Sequence, residues 1–178
     1  MVVNVHQRTL NAPILKLAPM IDQFASSQDH FWPYDRWPRV QFDRPLSVGA
    51  VGGHGTIGYF VEQYHPGREI VFRFTAPQGL NGTHQLILED LPDGKTRVKH
   101  VVEASLEGKM MWMWPLMIRF LHDALVEDGM DRAEAWFERR VLKPRAFSPW
   151  VKTLRWVMAK SRARVARTRT RTGQIARE

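Results

Sequence analysis

The chain has no cysteine. A disulfide framework and a thiolate nucleophile are excluded by that absence. Long apolar runs are missing too. The longest, Met110 to Ile118, contains Pro115 and is far shorter than the roughly 20 residues a membrane-spanning helix needs. The opening Met1-Val2-Val3-Asn4-Val5-His6 has no basic segment followed by an apolar one, so no signal peptide is expected there. Gly-x-Ser-x-Gly, His-Glu-x-x-His and phosphate-loop patterns do not occur. The stretch Gly49-Ala50-Val51-Gly52-Gly53-His54-Gly55 fits no phosphate or dinucleotide pattern and reads as a flexible loop between strands. These absences fit a cytoplasmic protein, free or peripheral at a membrane, with no cofactor expected.

What is present suits one domain plus an extension: 178 residues, 44% of them hydrophobic. The net charge of +8 is unevenly spread. Residues 143–178 carry eleven Lys and Arg against Glu178 alone, a net +10, which leaves −2 for residues 1–142. The body is near neutral, so nucleic acid is a disfavoured partner.

Hydropathy patterning predicts an α+β chain. Val3 and Val5 alternate with polar neighbours, in phase with Gln7 and Thr9, and mark a strand over about 2–10. Asn11-Ala12-Pro13 opens a helical stretch over about 13–31, interrupted at Ser26-Ser27. Trp37 to Phe42 reads as a short strand. A meander of long strands occupies about 54–107, and one long helix follows at about 115–142 with Pro115 as its first residue. On that helix Ile118, Leu121, Leu125, Gly129, Ala133 and Trp136 form the packing stripe. Asp123, Glu127, Asp131, Glu134 and Glu138 form the opposite face. The small residues Gly129 and Ala133 serve either close packing or a widened cavity.

Two turns set the register of the meander. In Leu91-Pro92-Asp93-Gly94-Lys95, Pro92 and Asp93 suit a type I turn and Gly94 the left-handed position after it. Leu91 then pairs with Lys95, Leu88 with Val98, Leu86 with His100 and His84 with Val102, while Glu89 meets Arg97 and Thr83 meets Glu103 on the other face. At His65-Pro66-Gly67-Arg68, pairing His65 with Arg68 puts Ile57, Tyr59, Val61, Ile70, Phe72 and Phe74 on the concave face. Phe60, Glu62, Tyr64, Val71 and Arg73 then fall outside.

This register places His84 and His100 as diagonal neighbours on an apolar face. Two imidazoles there can orient a ligand hydroxyl or carbonyl, act as acid and base, or simply bond to each other, to water or to Tyr59. No carboxylate is predicted on that face, so no metal is expected. The expected lining is Tyr59, Phe72, Phe74, His84, Leu86, Leu88, His100, Val102, Leu121 and Leu125, and the catalytic candidates are His84, His100 and Tyr59. The cluster Met110, Met111, Trp112, Met113, Trp114 and Met117 suits core packing, a homodimer contact or an adaptable apolar wall.

Residues 143–178 form a basic extension. Trp150, Leu154, Val157, Met158 and Val165 share one side of a helical pattern, with Lys152, Arg155, Lys160 and Arg164 around it. Through about 146–170 it can lie on an anionic membrane surface, bind nucleic acid non-specifically through its Arg cluster, or dock on the acidic face around Glu127 to Glu138 in the same chain or a protein partner. From Arg167 the Arg-Thr repeat has little to bury, and disorder is expected.

As a set, several segments carry a resemblance: Asn11-Ala12-Pro13 after the opening strand, Trp37-Pro38, Gly58-Tyr59-Phe60-Val61-Glu62, Thr83-His84-Gln85-Leu86 and Asp128-Gly129-Met130-Asp131-Arg132-Ala133. Over residues 1–142 the chain resembles the START-like superfamily, also called polyketide cyclase/dehydrase-like, SRPBCC or Bet v 1-like proteins. The resemblance implies a helix-grip fold, a curved antiparallel sheet wrapped around a long C-terminal helix with an apolar cavity between. Functions in that superfamily span lipid and hormone binding, aromatic polyketide cyclisation and chaperone regulation, with no catalytic residue shared. The expected function is binding of a small hydrophobic molecule (lipid, polyketide or aromatic) as carrier or sensor. The alternative is a polyketide cyclase or dehydratase using the cavity His and Tyr.

Overall fold

The computed structural model describes residues 1–140 and 143–160. Along the chain come β1 (Val2–Leu10), α1 (Ile14–Asp22), β2 (Gln41–Phe42), β3 (Val51–His54), β4 (Ile57–His65), β5 (Glu69–Ala76), β6 (Leu80–Leu91), β7 (Lys95–Leu106), α2 (Met110–Met113) and α3 (Arg119–Phe137). Residues 149–160 form a further helix, α4. The strands make one antiparallel sheet ordered β1-β7-β6-β5-β4-β3-β2. Successive hairpins lay down β2 to β7, and β1 pairs back onto β7. With the long helix held against its inner side, this is a helix-grip arrangement.

The β6–β7 register is the predicted one: Leu88 faces Val98, Leu86 faces His100 and His84 faces Val102. The turn differs in detail. Asp93 is already left-handed, at φ 66°, and Gly94 follows at φ 68°. The loop still holds three residues, so the pairing is unchanged.

At the β4–β5 turn the structure corrects the prediction. His65 pairs with Glu69, not Arg68. Gly67 has φ 67°, and a Cβ there would meet Ala18 of α1 at 2.9 Å. Its N–H donates to Asp22 Oδ1 at 2.7 Å, so contact with α1 holds the turn open by one residue. A bulge between Val61 and Gln63 absorbs the extra residue, and beyond it Val61–Phe72 and Tyr59–Phe74 pair as expected. Tyr64 therefore packs inward rather than outward, its hydroxyl donating to Asp22 Oδ1 at 2.8 Å.

The helices are also redrawn. α1 ends at Asp22, and the following loop is tied by Asp29, whose carboxylate accepts the backbone N–H groups of Ala25, Phe31 and Trp32, each at 2.8 Å. The long helix begins at Met110, not at Pro115. Pro115 lies within a π-helical turn, Trp114–Ile118, which accommodates a residue that cannot donate to the helical ladder. The helix ends at Phe137, with Arg139 left-handed at φ 54° just beyond.

The core has two parts. Leu10, Leu17, Ile21, Phe24, Tyr59, Phe72 and Leu86 belong to the larger cluster, and Leu125, Val126, Met130, Ala133 and Phe137 of α3 close it. Leu80, Val102, Ala104, Met110 and Trp114 form the smaller one. Of the Met/Trp run, Met110 and Trp114 are thus core, while Trp112 is 71% exposed. Trp136, placed on the packing stripe by its spacing, is instead 58% exposed and stacks on His30, with ring centroids 3.7 Å apart.

Gly129 packs against Phe31. A Cβ at Gly129 would lie 3.1 Å from both the Phe31 ring and its carbonyl oxygen, so the small residue marks close packing on the loop after α1. Gly129→Leu is expected to cost about 1–3 kcal/mol by overpacking, read as a lower urea midpoint at unchanged m-value. A neutral effect would show that this contact yields freely.

The acidic face of α3 is covered, which reverses the phase of β1. Val3 and Val5 are 57% and 50% exposed, while Asn4, His6 and Arg8 point inward. Arg8 binds Glu127, Asp131 and Glu134, and Asn4 and His6 bind Asp123. A polar strand face lies under a polar helix face because each side neutralises the other. Asp128, 5% exposed, accepts from Arg36 Nη1 and Trp37 Nε1, both at 2.7 Å.

α4 packs on that same 33–38 segment. Val151 and Leu154 are buried, and the Arg155 guanidinium lies over Trp37 at 4.4 Å and Phe147 at 4.6 Å. Of the expected stripe, Leu154 is buried while Trp150 and Val157 are each 46% exposed. Val165 and the stretch from Arg167 lie outside the described residues. Among the described residues, no helix is long and apolar enough to cross a membrane.

Candidate functional site

Alternation along the strands turns Tyr59 of β4, Phe72 and Phe74 of β5, His84 of β6 and His100 of β7 to the concave side. Cross-strand pairing sets Tyr59 beside Phe74 and Phe72 beside His84. His84 is stacked between Phe72 and Phe74, at centroid distances of 4.7 and 4.9 Å, and meets Tyr59 edge-on at 4.6 Å. Phe72 belongs to the larger apolar cluster and Phe74 packs on the smaller one, so His84 lies where the two meet.

The two predicted histidines are part of a longer row. Starting under Trp32, His54 lies 4.7 Å from that indole, and its Nδ1 is 3.3 Å from Tyr59 Oη. The row continues through His84 to His100 at 5.6 Å, to His122 of α3 at 5.0 Å and to His6 of β1 at 5.8 Å. It ends on two carboxylates: His6 Nδ1 is 2.8 Å from Glu127 Oε1, and His6 Nε2 is 3.1 Å from Asp123 Oδ1.

Three members were missed by sequence reasoning. His54 stood in a stretch taken for a loop, but Gly52 and Gly53 belong to β3, which pairs with β2 and β4. His122 falls off the apolar stripe of α3. His6 is in phase with Asn4 and Arg8, and the signal was there: three polar residues at spacing 2 match four acids at helical spacing in Asp123, Glu127, Asp131 and Glu134. The carboxylate absent from the sheet face comes from α3 as Asp123, which with His6 and His122 could hold a metal ion.

Of the predicted lining, Tyr59, Phe72, Leu86, Leu88, Val102 and Leu125 are buried with His84 and His100, and Phe74 and Leu121 are half-buried. Burial sets the protonation states. His54 is pushed down to about 3 by burial. His84 and His100 are held well below their ordinary value by burial and then by neighbouring imidazoles, so both are neutral at physiological pH. Burial pushes the Tyr59 phenol up, and it keeps its proton. At the other end burial works against charge on His6, but hydrogen bonds to Asp123 and Glu127 outweigh it and raise the imidazole.

Hydrogen bonding within the row is incomplete. His84 Nε2, His100 Nδ1 and both ring nitrogens of His122 are shielded from solvent and have no hydrogen-bond partner among the described residues. His122 Nδ1 stands 3.7 Å from Asp123 Oδ1, beyond hydrogen-bond reach. Outside the grip, Tyr34, Asp35, Arg36, Trp37 and Pro38 face Arg155, Met158 and Ala159 across a surface groove of about 300 Å³.

No family model and no curated protein matches the chain. Solved structures do. CalU16 from Micromonospora echinospora is 12% identical, with 89% of this chain and 84% of its own length covered and a TM-score of 0.54. A protein from Nitrosospira multiformis is 15% identical, with 78% of this chain and 100% of its own length covered and a TM-score of 0.58. A conserved protein of unknown function from Enterococcus faecalis is 10% identical, with 89% and 85% covered and a TM-score of 0.55. At such identities the likeness is one of fold, which in this chain is a seven-stranded sheet gripping a long helix.

Proposed function

We propose that the chain binds a small apolar molecule of lipid, polyketide or aromatic type inside the grip, as carrier or sensor, with the polar end of the ligand on His84 and His100. One observation carries this reading. His84 and His100 are 7% and 8% exposed, and each keeps a ring nitrogen without a hydrogen-bond partner among the described residues. A buried polar atom left unpaired costs about 1–3 kcal/mol, which a ligand hydroxyl or carbonyl would relieve. A neutral imidazole offers one donor and one acceptor, so either ligand group suits it. Tyr59, Phe72 and Phe74 supply flat apolar walls.

A second reading, a cyclase or dehydratase, is favoured by the 3.3 Å contact between His54 Nδ1 and Tyr59 Oη. Tyr59 would then donate a hydrogen bond to the substrate and His84 or His100 act as base. Native mass spectrometry of protein from its own host is expected to show a bound apolar ligand, and a thermal-shift panel of lipids and polyphenols to raise the melting temperature. His84→Leu should weaken that ligand about tenfold, one hydrogen bond's worth. If no ligand is found and no panel member stabilises the protein, the binding reading fails. Turnover abolished in His100→Ala with affinity kept would select the enzyme.

A further inference from the structure

We propose that His6, His122 and Asp123 form a binding site for a divalent transition ion of the zinc class, at the end of the histidine row where β1 meets α3. This goes beyond the ligand-binding reading and does not depend on it.

The donor atoms already stand close to where a metal requires them. One ligand atom from each residue lies within 4.8 Å of the other two. With zinc–ligand bonds of about 2.0–2.2 Å, the edge of a tetrahedron is about 3.3 Å, and two imidazoles on one ion have centroids about 5 Å apart. His6 Nε2 is 3.1 Å and His122 Nδ1 3.7 Å from Asp123 Oδ1, and the two rings are 5.8 Å apart. The ion would take the place of the proton shared between His6 and Asp123.

The groups behind the donors fit as well. A metal-bound histidine characteristically gives its other N–H to a carboxylate, which fixes the tautomer. His6 Nδ1 faces Glu127 Oε1 at 2.8 Å, and Glu127 is itself held by Arg8 Nη2 at 2.9 Å. Asn4 Nδ2 donates to Asp123 Oδ1 at 2.9 Å and orients that carboxylate. An independent observation points to the same place. Both ring nitrogens of His122 are buried without a hydrogen-bond partner among the described residues, and His100, 8% exposed, has its Nδ1 unpartnered in the adjoining ring 5.0 Å away. A salt-bridged pair alone accounts for His6 and Asp123 but not for His122. Three protein ligands leave one position open, as in zinc sites that carry an exchangeable water.

The test uses the untagged full-length protein, stripped of metal and titrated with Zn²⁺ and Co²⁺. One equivalent is expected to bind, with Co²⁺ giving the intense visible absorption of four-coordinate nitrogen and oxygen ligation. Zinc-edge X-ray absorption of the wild type should read two imidazoles at about 2.0 Å, independently of any variant. His122→Phe and Asp123→Asn should lose about 100-fold in affinity, and Glu127→Gln about tenfold. His65→Ala, an exposed histidine at the far turn, should bind as wild type does. A wild type that takes up no Co²⁺, shows fewer than two imidazoles, or loses its ion in His65→Ala overturns the site.

Discussion

Arg8→Met is expected to lower stability by about 3 kcal/mol, a fall of roughly 6–12 °C in melting temperature. Arg8 reaches three carboxylates at once: Glu127 at 2.9 Å, Glu134 at 2.8 Å, and Asp131. Its side chain is only 19% exposed, and those of the acids between 16% and 29%. An exposed pair would be worth under about 1 kcal/mol. Here removal of the cation leaves three partly buried anions facing one another where β1 meets α3, and that residual repulsion is the larger part of the effect. Arg145 offsets some of it from across the surface, lying 3.0 Å from Asp131 and 3.3 Å from Glu127. Arg8→Lys should recover only part of the loss, because a single ammonium cannot fork between three acids. Urea denaturation of the three proteins decides the matter; a loss below about 1 kcal/mol in Arg8→Met would mean that solvent screens the cluster.

Acid is expected to unfold the protein between about pH 6 and pH 4, earlier than its carboxylates alone would dictate. The sign follows from proton binding in the two states. His54 and His84 are neutral when folded because burial lowers them, His54 to about 3, whereas the unfolded chain takes up protons near 6.5. Below that value the unfolded state binds more protons, so stability falls with pH by about 1.4 kcal/mol per unit for each such histidine. Together with His100, lowered in the same way, they remove several kcal/mol over two units, against a typical total of about 5–15. His6 does not reverse this. Raised by its carboxylates, it is charged in both states below 6.5 and contributes slope only above. Asp29 and Asp128, raised by burial, take up protons in the folded state at a higher pH than the unfolded carboxyls do, so above about 3.8 they offset part of this slope and soften it. Urea midpoints taken at half-unit steps should slope steeply, and His84→Leu should flatten them by about one proton. A midpoint level from pH 7 to pH 5 would show that these rings are hydrated.

Legibility followed the range of the forces involved. The β6–β7 hairpin could be read residue by residue because its register depends on a local loop of Pro92, Asp93 and Gly94. The β4–β5 turn could not, because the position of Gly67 is decided by Ala18 and Asp22, more than forty residues earlier. The start of the long helix was misplaced for a related reason. Pro115 is a good helix opener in isolation, but burial of Met110 and Trp114 against Leu80 and Val102 carries the helix back through a π turn.

The histidine site divides in the same way. Alternation and turn chemistry, both properties of neighbouring residues, determined from the sequence alone that His84 and His100 share the inner face of the sheet. That His54, His122 and His6 join them, and that an acidic helix face lies against Asn4, His6 and Arg8 rather than in water, was decided only by tertiary structure. Hydropathy assigns charged faces to solvent, since burying one charge alone is prohibitive. Two complementary polar faces more than a hundred residues apart can cover each other, and only the closed grip brings them together.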